Sequence, residues 1–491
     1  MDITWQKQGA DMAFFLDGRP LGRAVDGGGD RFSPVSGGVL WTRRTNEPTD
    51  HMALRFETAF PLQWEMTPGV RYGGNTCYIM DYSEMRRLSH TEREGDALEP
   101  NYFKGYFEEK SGEPWKIAWF RMSVPGGIYG EGDGLSAAMF LPKGQRDGSA
   151  SVYPQGEGAV LELSWPIVEG PRAFAPHMQW LPQRQGSISP RDEFSAVLVF
   201  APAQAPKTAW HLLVDAAWDH ENARRDPKFG NKELWDLGIA YAKSLYLEEE
   251  DGFCGFDMGC KWIDGRWQRR PIDKFELGWC GQNASLANSL LCHSLRYGDK
   301  EAENMAIRTL DSWVRAKLPQ GILPTHCHGQ EFKHGYDRTV DACNLGEGSI
   351  QFFLAEDLAR KLGYERPEYG EAARQICDFA LEKMEPSGRI GKNWREKDLT
   401  PIVEDGSTGA FLTMALIEGA RRTGREDYRE AALRSFDYYY REFMENGFTR
   451  GGALDIFSID KESCIPMLKG GLMLYDRTGE DKYLELSLIH I

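Results

Sequence analysis

The sequence predicts a multidomain β plus α protein of two unlike halves: an antiparallel β-sandwich over residues 1 to 205, and an all-helical region of repeating hairpins over 231 to 491. Three observations carry this expectation. Up to about residue 200, short runs rich in β-branched and aromatic residues alternate with Gly, Pro and Asp turn signals. At Pro202 to Pro206 the composition changes, and beyond it apolar residues return every three to four positions, as in Leu234, Leu237, Tyr241 and Leu245. The helical part then repeats a basic-residue, x, Gly ending at Arg296-Tyr-Gly298, Lys361-Leu-Gly363, Arg422-Thr-Gly424 and Arg477-Thr-Gly479.

In chain order, Trp115 to Val124, Ala159 to Trp165 and Phe194 to Phe200 read as strands. Asp26-Gly-Gly-Gly-Asp30, Pro125-Gly-Gly127 and Gly130-Glu-Gly-Asp-Gly134 read as turns between strands, and the last lacks the following helix that a phosphate cradle needs. Residues 207 to 224 and 231 to 247 read as helices, with 206 to 230 a linker helix, and no convincing strand follows. Each repeated Gly suits a left-handed helix C-cap, and new helices are expected over Glu301 to Arg315, Pro367 to Met384, Asp427 to Met444 and from Asp481. The hairpins are then 231 to 298, 301 to 363, 367 to 424 and 426 to 479. Such units must stack to bury their apolar faces. Long loops at about 249 to 277, 318 to 343, 385 to 405 and 446 to 460 would lie at one end, with the helix after each one on the inside.

Composition excludes several classes of function. Lys plus Arg number 58 against 74 Asp plus Glu, and a net charge of -16 argues against a nucleic-acid partner. A hydrophobic share of 41% with 27% charged residues is globular rather than disordered. There is no apolar run of about 18 residues, so no membrane association is expected. Met1 to Gln8 lacks the features of a secretion signal, and the expected location is cytoplasmic, or periplasmic if the N-terminus were incomplete. Nine cysteines without a CxxC pair read as free thiols. A homo-oligomer is left open by the sequence.

The hairpins, the β-rich region in front of them and the segment Gly452-Ala-Leu-Asp-Ile-Phe-Ser-Ile-Asp-Lys-Glu-Ser463 together resemble the six-hairpin glycosidase superfamily, over about residues 206 to 491. The resemblance implies an (α/α)6-type toroid behind the β-sandwich and an enzyme acting on carbohydrate. The family is not assigned. Four hairpins fall short of six, and closure would need about 100 further residues at this repeat length. The expectation is therefore a C-terminally truncated toroid with an open groove edge, and Ser487 to Ile491 depart from the polar alternation of the other outer helices.

Cleavage of a glycosidic bond by carboxylates needs two of them on opposite sides of the bond. The loops offer Asp257, Asp264, Asp273 and Glu276, then Glu331, Asp337, Asp341 and Glu347, then Glu396, Asp398, Glu404 and Asp405, then Asp455, Asp460 and Glu462. Asp341, Glu404, Asp405 and Asp460 precede inner helices, where each alone reads as an N-cap or first-turn acid. Four loops bringing acids to one rim exceeds what capping requires. The preferred catalytic pair is Asp341 with Asp405, and Glu404 and Glu462 are reserves.

Bases and aromatics crowd the same loops: Lys261 to Arg270, Trp279, His326, His328, His334, Tyr336, Arg338, Arg389, Lys392 and Trp394. Indole faces stack on sugar rings, and a guanidinium forks onto a carboxylate. Trp279, His326, His328, His334, Tyr336, Arg338, Lys392 and Trp394 are the candidate substrate contacts, for an oligo- or polysaccharide that contains uronic acid, unless the bases merely neutralise the acids beside them. The histidines lack a third ligand or CxxC support, so no metal and no cofactor are expected. His334 with Tyr336 keeps a polysaccharide lyase or sugar epimerase open as the alternative to a glycoside hydrolase, and a non-catalytic carbohydrate-binding protein is the third reading. Asn283-Ala-Ser285 matches a glycosylation acceptor but opens an expected helix.

Overall fold

The fold was analysed in a computed structural model of the chain. It describes residues 2–73, 105–108, 111–145, 147–171, 188, 192–221, 228–258, 260–263, 265–269, 275–279, 282–328, 339–446, 449, 451 and 462–484. The chain forms two compact units, divided between residues 226 and 227.

Among its described residues the first unit carries fourteen strands: Ile3–Gln8 (β1), Asp11–Leu16 (β2), Arg19–Ala24 (β3), Asp30–Val35 (β4), Gly38–Arg44 (β5), Met52–Thr58 (β6), Trp64–Thr67 (β7), Arg71–Tyr72 (β8), Ile117–Ala118 (β9), Ile128–Gly132 (β10), Leu135–Phe140 (β11), Ser149–Gln155 (β12), Gly158–Trp165 (β13) and Glu193–Pro202 (β14). They form two seven-stranded antiparallel sheets, ordered β1-β2-β3-β6-β13-β12-β9 and β4-β5-β14-β11-β10-β7-β8. Alternation along the strands turns Phe14 and Phe56 of one sheet and Trp41 and Phe200 of the other into one core. Phe200 lies 5.4 Å from the Phe14 ring and 5.3 Å from that of Phe56. Two buried carboxylates of this unit are met by guanidinium groups, Glu65 by Arg71 at 2.9 Å and Asp30 by Arg43 at 2.6 Å.

The expected strands at 159 to 165 and 194 to 200 are present as β13 and β14. The one expected over Trp115 to Val124 is not. Only Ile117–Ala118 forms a strand, at a sheet edge beside Ser149 and Ala150, with a single bridge from Lys116 to Gly170, and the chain then turns through a 3-10 helix at Trp119–Arg121. Aromatic content raised β-propensity there, but a strand also needs a neighbour to pair with. Gly130 to Gly134 folds as the end of β10 and the hairpin turn into β11, with positive φ at Asp133 and Gly134, the pattern of a tight two-residue hairpin. The expected linker helix is a helix at His211–Glu221 (α1), and its Leu213, Ala216 and Ala217 pack on Phe140, Val197 and Val199 of the second sheet.

The second unit contains eight long helices among its described residues: Asn231–Leu245 (α2), Asn283–Tyr297 (α3), Lys300–Arg315 (α4), Ala342–Lys361 (α5), Pro367–Lys383 (α6), Ala410–Thr423 (α7), Glu426–Asn446 (α8) and Ile465–Thr478 (α9), with helical residues again from 481. Gly298, Gly363, Gly424 and Gly479 all take positive φ, between 68° and 89°, so each tight turn rests on a residue without a Cβ. Helices α3, α5, α7 and α9 each pack on the next, and α4, α6 and α8 lie against them from outside. The helices that follow the long loops are thus the inner ones. Close approach is built in at Gly346 of α5, where a Cβ would stand 2.3 Å from the Phe411 carbonyl oxygen of α7.

The expectation of no strand beyond residue 247 is corrected. The loops hold Tyr246–Glu248 (β15), Cys254–Phe256 (β16), Cys260–Ile263 (β17), Arg266–Arg269 (β18), Phe275–Glu276 (β19), His326–Cys327 (β20), Thr339–Asp341 (β21), Asn393–Arg395 (β22) and Pro401–Val403 (β23). Pieces of two to four residues are too short to show a period of two. They join successive loops: β19 pairs with β20, and β21 pairs with β22, which pairs with β23. The loops before the inner helices therefore meet at one end of the bundle.

Candidate active site

Two asparagine amides fix the centre of this loop cluster. Asn283, in the first turn of α3, accepts from the Phe256 backbone N–H at 2.7 Å and donates to the backbone oxygens of Phe256 (2.8 Å) and Glu276 (3.0 Å). Asn344, in the first turn of α5, accepts from the backbone N–H groups of Gly278 and Trp279, both at 2.8 Å. Residues 276 to 279 are thus held from two inner helices. A Cβ at Gly278 would lie 2.7 Å from the Asn344 carbonyl oxygen, so the approach needs glycine there.

The Asn344 Nδ2 group then bridges two buried carboxylates. It donates to Glu276 Oε1 at 2.9 Å and to Asp341 Oδ2 at 3.1 Å. Those two oxygens are no farther apart than the two distances laid end to end. Asp341 is also the N-cap of α5, accepting from the Asn344 backbone N–H at 2.8 Å, and its Oδ1 accepts from the Cys343 thiol at 2.8 Å. Burial pushes the Cys343 thiol well above its ordinary range, and the charges of Asp341 and Glu276 push the same way against Lys392. Cys343 is therefore a protonated donor at neutral pH, not a nucleophile. Asp341 is 1% exposed and Glu276 0%.

The other acids occupy less enclosed positions. The sheet β21-β22-β23 sets Asp341 opposite Asn393 and Asn393 opposite Val403. Two strand spacings put the Asp341 and Val403 Cα atoms about 10 Å apart. Glu404 and Asp405 follow directly, Glu404 exposed and Asp405 half-buried. Asp405 does not cap α7, whose N-cap is Gly409, and its carboxylate instead accepts from the Gly406 backbone N–H at 2.8 Å. Glu462 is half-buried at the start of a 3-10 turn, where Ser463 lies 3.5 Å from Thr408. Asp460 lies outside the described residues, as do His334, Tyr336 and Arg338.

Among the candidate substrate contacts, Trp394 is corrected. It is 1% exposed and meets Phe379 edge-on at 4.8 Å, so its ring belongs to the helical core and offers no face to a sugar. Lys392 is buried and donates to the Gly451 carbonyl at 2.5 Å, tying the third loop to the fourth. Arg389 pairs with Glu385 at 3.0 Å. These two bases are thus engaged within the protein, as in the reading that they neutralise their surroundings. Trp279 is half-buried against Phe411, with ring centroids 5.2 Å apart. The His326 Nε2 lies 3.6 Å from Glu276, and its Nδ1 lies 3.1 Å from the Thr325 hydroxyl. His328 Nε2 lies 3.3 Å from Asp251, and its ring lies on Phe253.

Sequence reasoning found Asp341 and counted Glu276 among the loop acids, but missed Asn344 and Asn283. A signal existed for the first: Asp341-x-x-Asn344 places an amide at the third helical position after an acidic cap, the spacing of a capping box. The Asn283-Ala-Ser285 acceptor motif is explained by this clamp, which buries the amide completely. Cys254, Cys292, Cys327, Cys343, Cys377 and Cys464 are free thiols. Among the described residues no cluster of three His, Cys, Asp or Glu is arranged to hold a metal ion, and no helix is long and apolar enough to cross a membrane.

No family model and no curated protein matches the sequence. Solved structures do. An α-mannanase of glycoside hydrolase family 76 from Bacteroides thetaiotaomicron matches at 10% identity, over 52% of this chain and 70% of that one, with a TM-score of 0.36. The unsaturated glucuronyl hydrolase of Bacillus sp. GL1 matches at 13% identity, over 42% of this chain and 59% of that one, with a TM-score of 0.33. The cellobiose 2-epimerase of Spirochaeta thermophila matches at 14% identity, over 57% of this chain and 67% of that one, with a TM-score of 0.39. Likeness at this level transfers no activity to the chain.

Proposed function

We propose that the chain is a carbohydrate-active enzyme, a glycoside hydrolase built as a β-sandwich followed by helical hairpins in an α/α-toroid arrangement, acting on an oligo- or polysaccharide at the end where the long loops meet. One observation carries the reading: two buried carboxylates from separate loops, Glu276 and Asp341, converge on a single amide at the N-terminus of an inner helix. Burying like charges this close is costly for folding alone, and sites of chemistry are where such arrangements are kept.

Asp341 is assigned as one catalytic carboxylate. Its cap bonds, the Cys343 thiol and the Asn344 amide hold it in one orientation, so a proton can pass to or from a glycosidic oxygen without reorganisation. Asp405 is the second, at the end of a strand two places along the same small sheet. With about 6.5–9.5 Å between the two carboxyl groups, a water fits between acid and base and its attack inverts the anomeric centre. Glu276 is a positioning group that sets Asn344 and His326 against Asp341. Glu404 and Glu462 are the reserve carboxylates of the same rim.

The test incubates wild type, Asp341→Asn and Asp405→Asn with a panel of polysaccharides and reads new reducing ends, product anomer by NMR and ultraviolet absorbance of an unsaturated product. The expected result is inverted product from wild type and a loss of several decades in each variant. Near wild-type turnover in both variants overturns the assignment. Retention of configuration would move the second role to Glu276, which lies close enough to Asp341 for the covalent route. Absorbance of an unsaturated product, which elimination releases together with a new reducing end, would move the reading to a lyase.

His326 favours a second reading. A half-buried imidazole beside a buried carboxylate is equipped to exchange a proton at a sugar carbon, as an epimerase requires. Conversion of one reducing sugar into another, lost in His326→Gln and kept in Asp405→Asn, would select it.

A further inference from the structure

A cavity of about 420 Å³ opens beside the candidate acids, between the C-terminal end of α4 and the first three loops. Its size falls within the range of small-ligand sites. Phe253, Leu318 and Pro324 give it apolar walls, and Asp251, Arg315, His328 and Glu396 line it with polar groups. His326 belongs both to this lining and to the acid pair, through its 3.6 Å contact with Glu276. Through that contact the cavity is joined to Glu276, the positioning group of the proposed centre.

We propose that this cavity is a subsite for a neutral sugar residue of the substrate. The inference rests on the carbohydrate reading above and narrows it, against the uronic-acid expectation. Apolar walls beside carboxylates and ring nitrogens suit a pyranose, which presents C–H faces to the walls and hydroxyl donors to Asp251 and Glu396.

Charge separates a neutral sugar from an acidic one. The cavity lies at the C-terminal end of α4, where helix carbonyls carry partial negative charge. Asp251 and Glu396 add to it. The Arg315 guanidinium is already turned onto the Ser312 hydroxyl at 2.9 Å and the Gly252 carbonyl at 3.4 Å, away from the fork that a sugar carboxylate would need. A second observation marks the site as built. His328 holds φ at +55°, a conformation costly for a residue with a Cβ, and in it the imidazole lies 4.8 Å from the Phe253 ring and 3.3 Å from Asp251.

The experiment is isothermal titration of the full chain carrying Asp341→Asn, which stops turnover under the proposed function. The probes are glucose, mannose, galactose, glucuronate and β-linked disaccharides of glucose and of mannose. At least one neutral sugar is expected to bind, with glucuronate at least tenfold weaker than glucose. Asp251→Asn with Glu396→Gln, and separately His328→Asn, each lower that affinity about tenfold with an unchanged circular dichroism spectrum. Asn tolerates the left-handed backbone at 328, so that variant removes the ring and not the fold. Absence of binding by every neutral probe overturns the subsite. So does tighter binding of glucuronate than of glucose, or affinity unchanged in both variants. Binding that follows this pattern in a chain whose wild type releases no product keeps the subsite and removes the hydrolase.

Discussion

Glu65 and Asp30 of one unit and Asp341 and Glu276 of the other are enclosed carboxylates that are satisfied in different ways. In the β unit Glu65 and Asp30 are met by the guanidinium groups of Arg71 and Arg43, charge against charge. In the helical unit the hydrogen bonds to Asp341 come from a backbone N–H, a thiol and an amide, and the same amide binds Glu276. Arginine fixes a charge in a stable structure and spends its reactivity. Neutral donors orient a carboxylate while leaving it able to take up and release a proton. Under the proposed function the difference marks Asp341 as placed for chemistry, and Glu65 and Asp30 as holding the fold.

The largest expected effect follows from this. Asp341→Asn should lower turnover by about 10²- to 10⁴-fold, the contribution of one positioned acid or base. Its stability should fall by only about 1–3 kcal/mol, since the new amide would face the Asn344 amide, donor against donor. Activity on the saccharide found by the substrate screen, measured beside denaturant unfolding, checks the ratio. Loss of both in proportion would make Asp341 structural.

Arg71→Met is the converse. It takes the guanidinium from a buried carboxylate, at a cost of about 3–5 kcal/mol. Urea unfolding of the β unit should shift accordingly, while turnover measured well below the transition stays at the wild-type value. A variant that loses turnover without losing stability would break the comparison.

Asn344→Ala sharpens it. The substitution leaves the Gly278 and Trp279 N–H groups without their acceptor and removes the donor shared by Glu276 and Asp341. About 1–3 kcal/mol of stability should go with each buried group left unmade. Because Asp341 keeps its cap bond to the backbone of residue 344, kcat should fall more than KM rises. An effect on KM alone would place Asn344 in substrate binding.

Much of the helical half was legible because its signals are local. Gly298, Gly363, Gly424 and Gly479 each mark a backbone conformation that one residue decides, and the observed helices begin and end within a few residues of the expected bounds. Asp341 could be read as a cap for the same reason. The partners that Asn283 and Asn344 hold at Phe256 and Gly278 could not, because they lie 27 and 66 residues away and an asparagine in a first helical turn looks the same with or without them. Trp394 failed in the opposite sense. Its neighbours are polar, yet β22 crosses the bundle end with that side chain turned inward onto Phe379. The edge strand β9 failed because pairing, not propensity, ends a strand.

Asp299 offers the smallest effect and the cleanest control, since it is the N-cap of α4 just as Asp341 is of α5, but at the tight-turn end of the bundle. Its carboxyl is held below the ordinary carboxylate range by the Ala302 backbone N–H and then by Lys243, which stands 2.8 Å away. A depressed carboxylate stabilises the fold fully above its unfolded value of about 3.9 and loses that contribution as pH falls through the folded value. Asp299→Ala should therefore cost about 1 kcal/mol at neutral pH, as the loss of a cap does. The gap between variant and wild type in thermal melting should begin to close as the pH falls below about 4 and vanish below the depressed folded value, where both carry an uncharged group at this position. Turnover of the variant at neutral pH should match wild type. Two aspartates in the same local role would then differ only in what stands around them, and a catalytic defect in Asp299→Ala would mean that capping alone accounts for whatever Asp341→Asn loses.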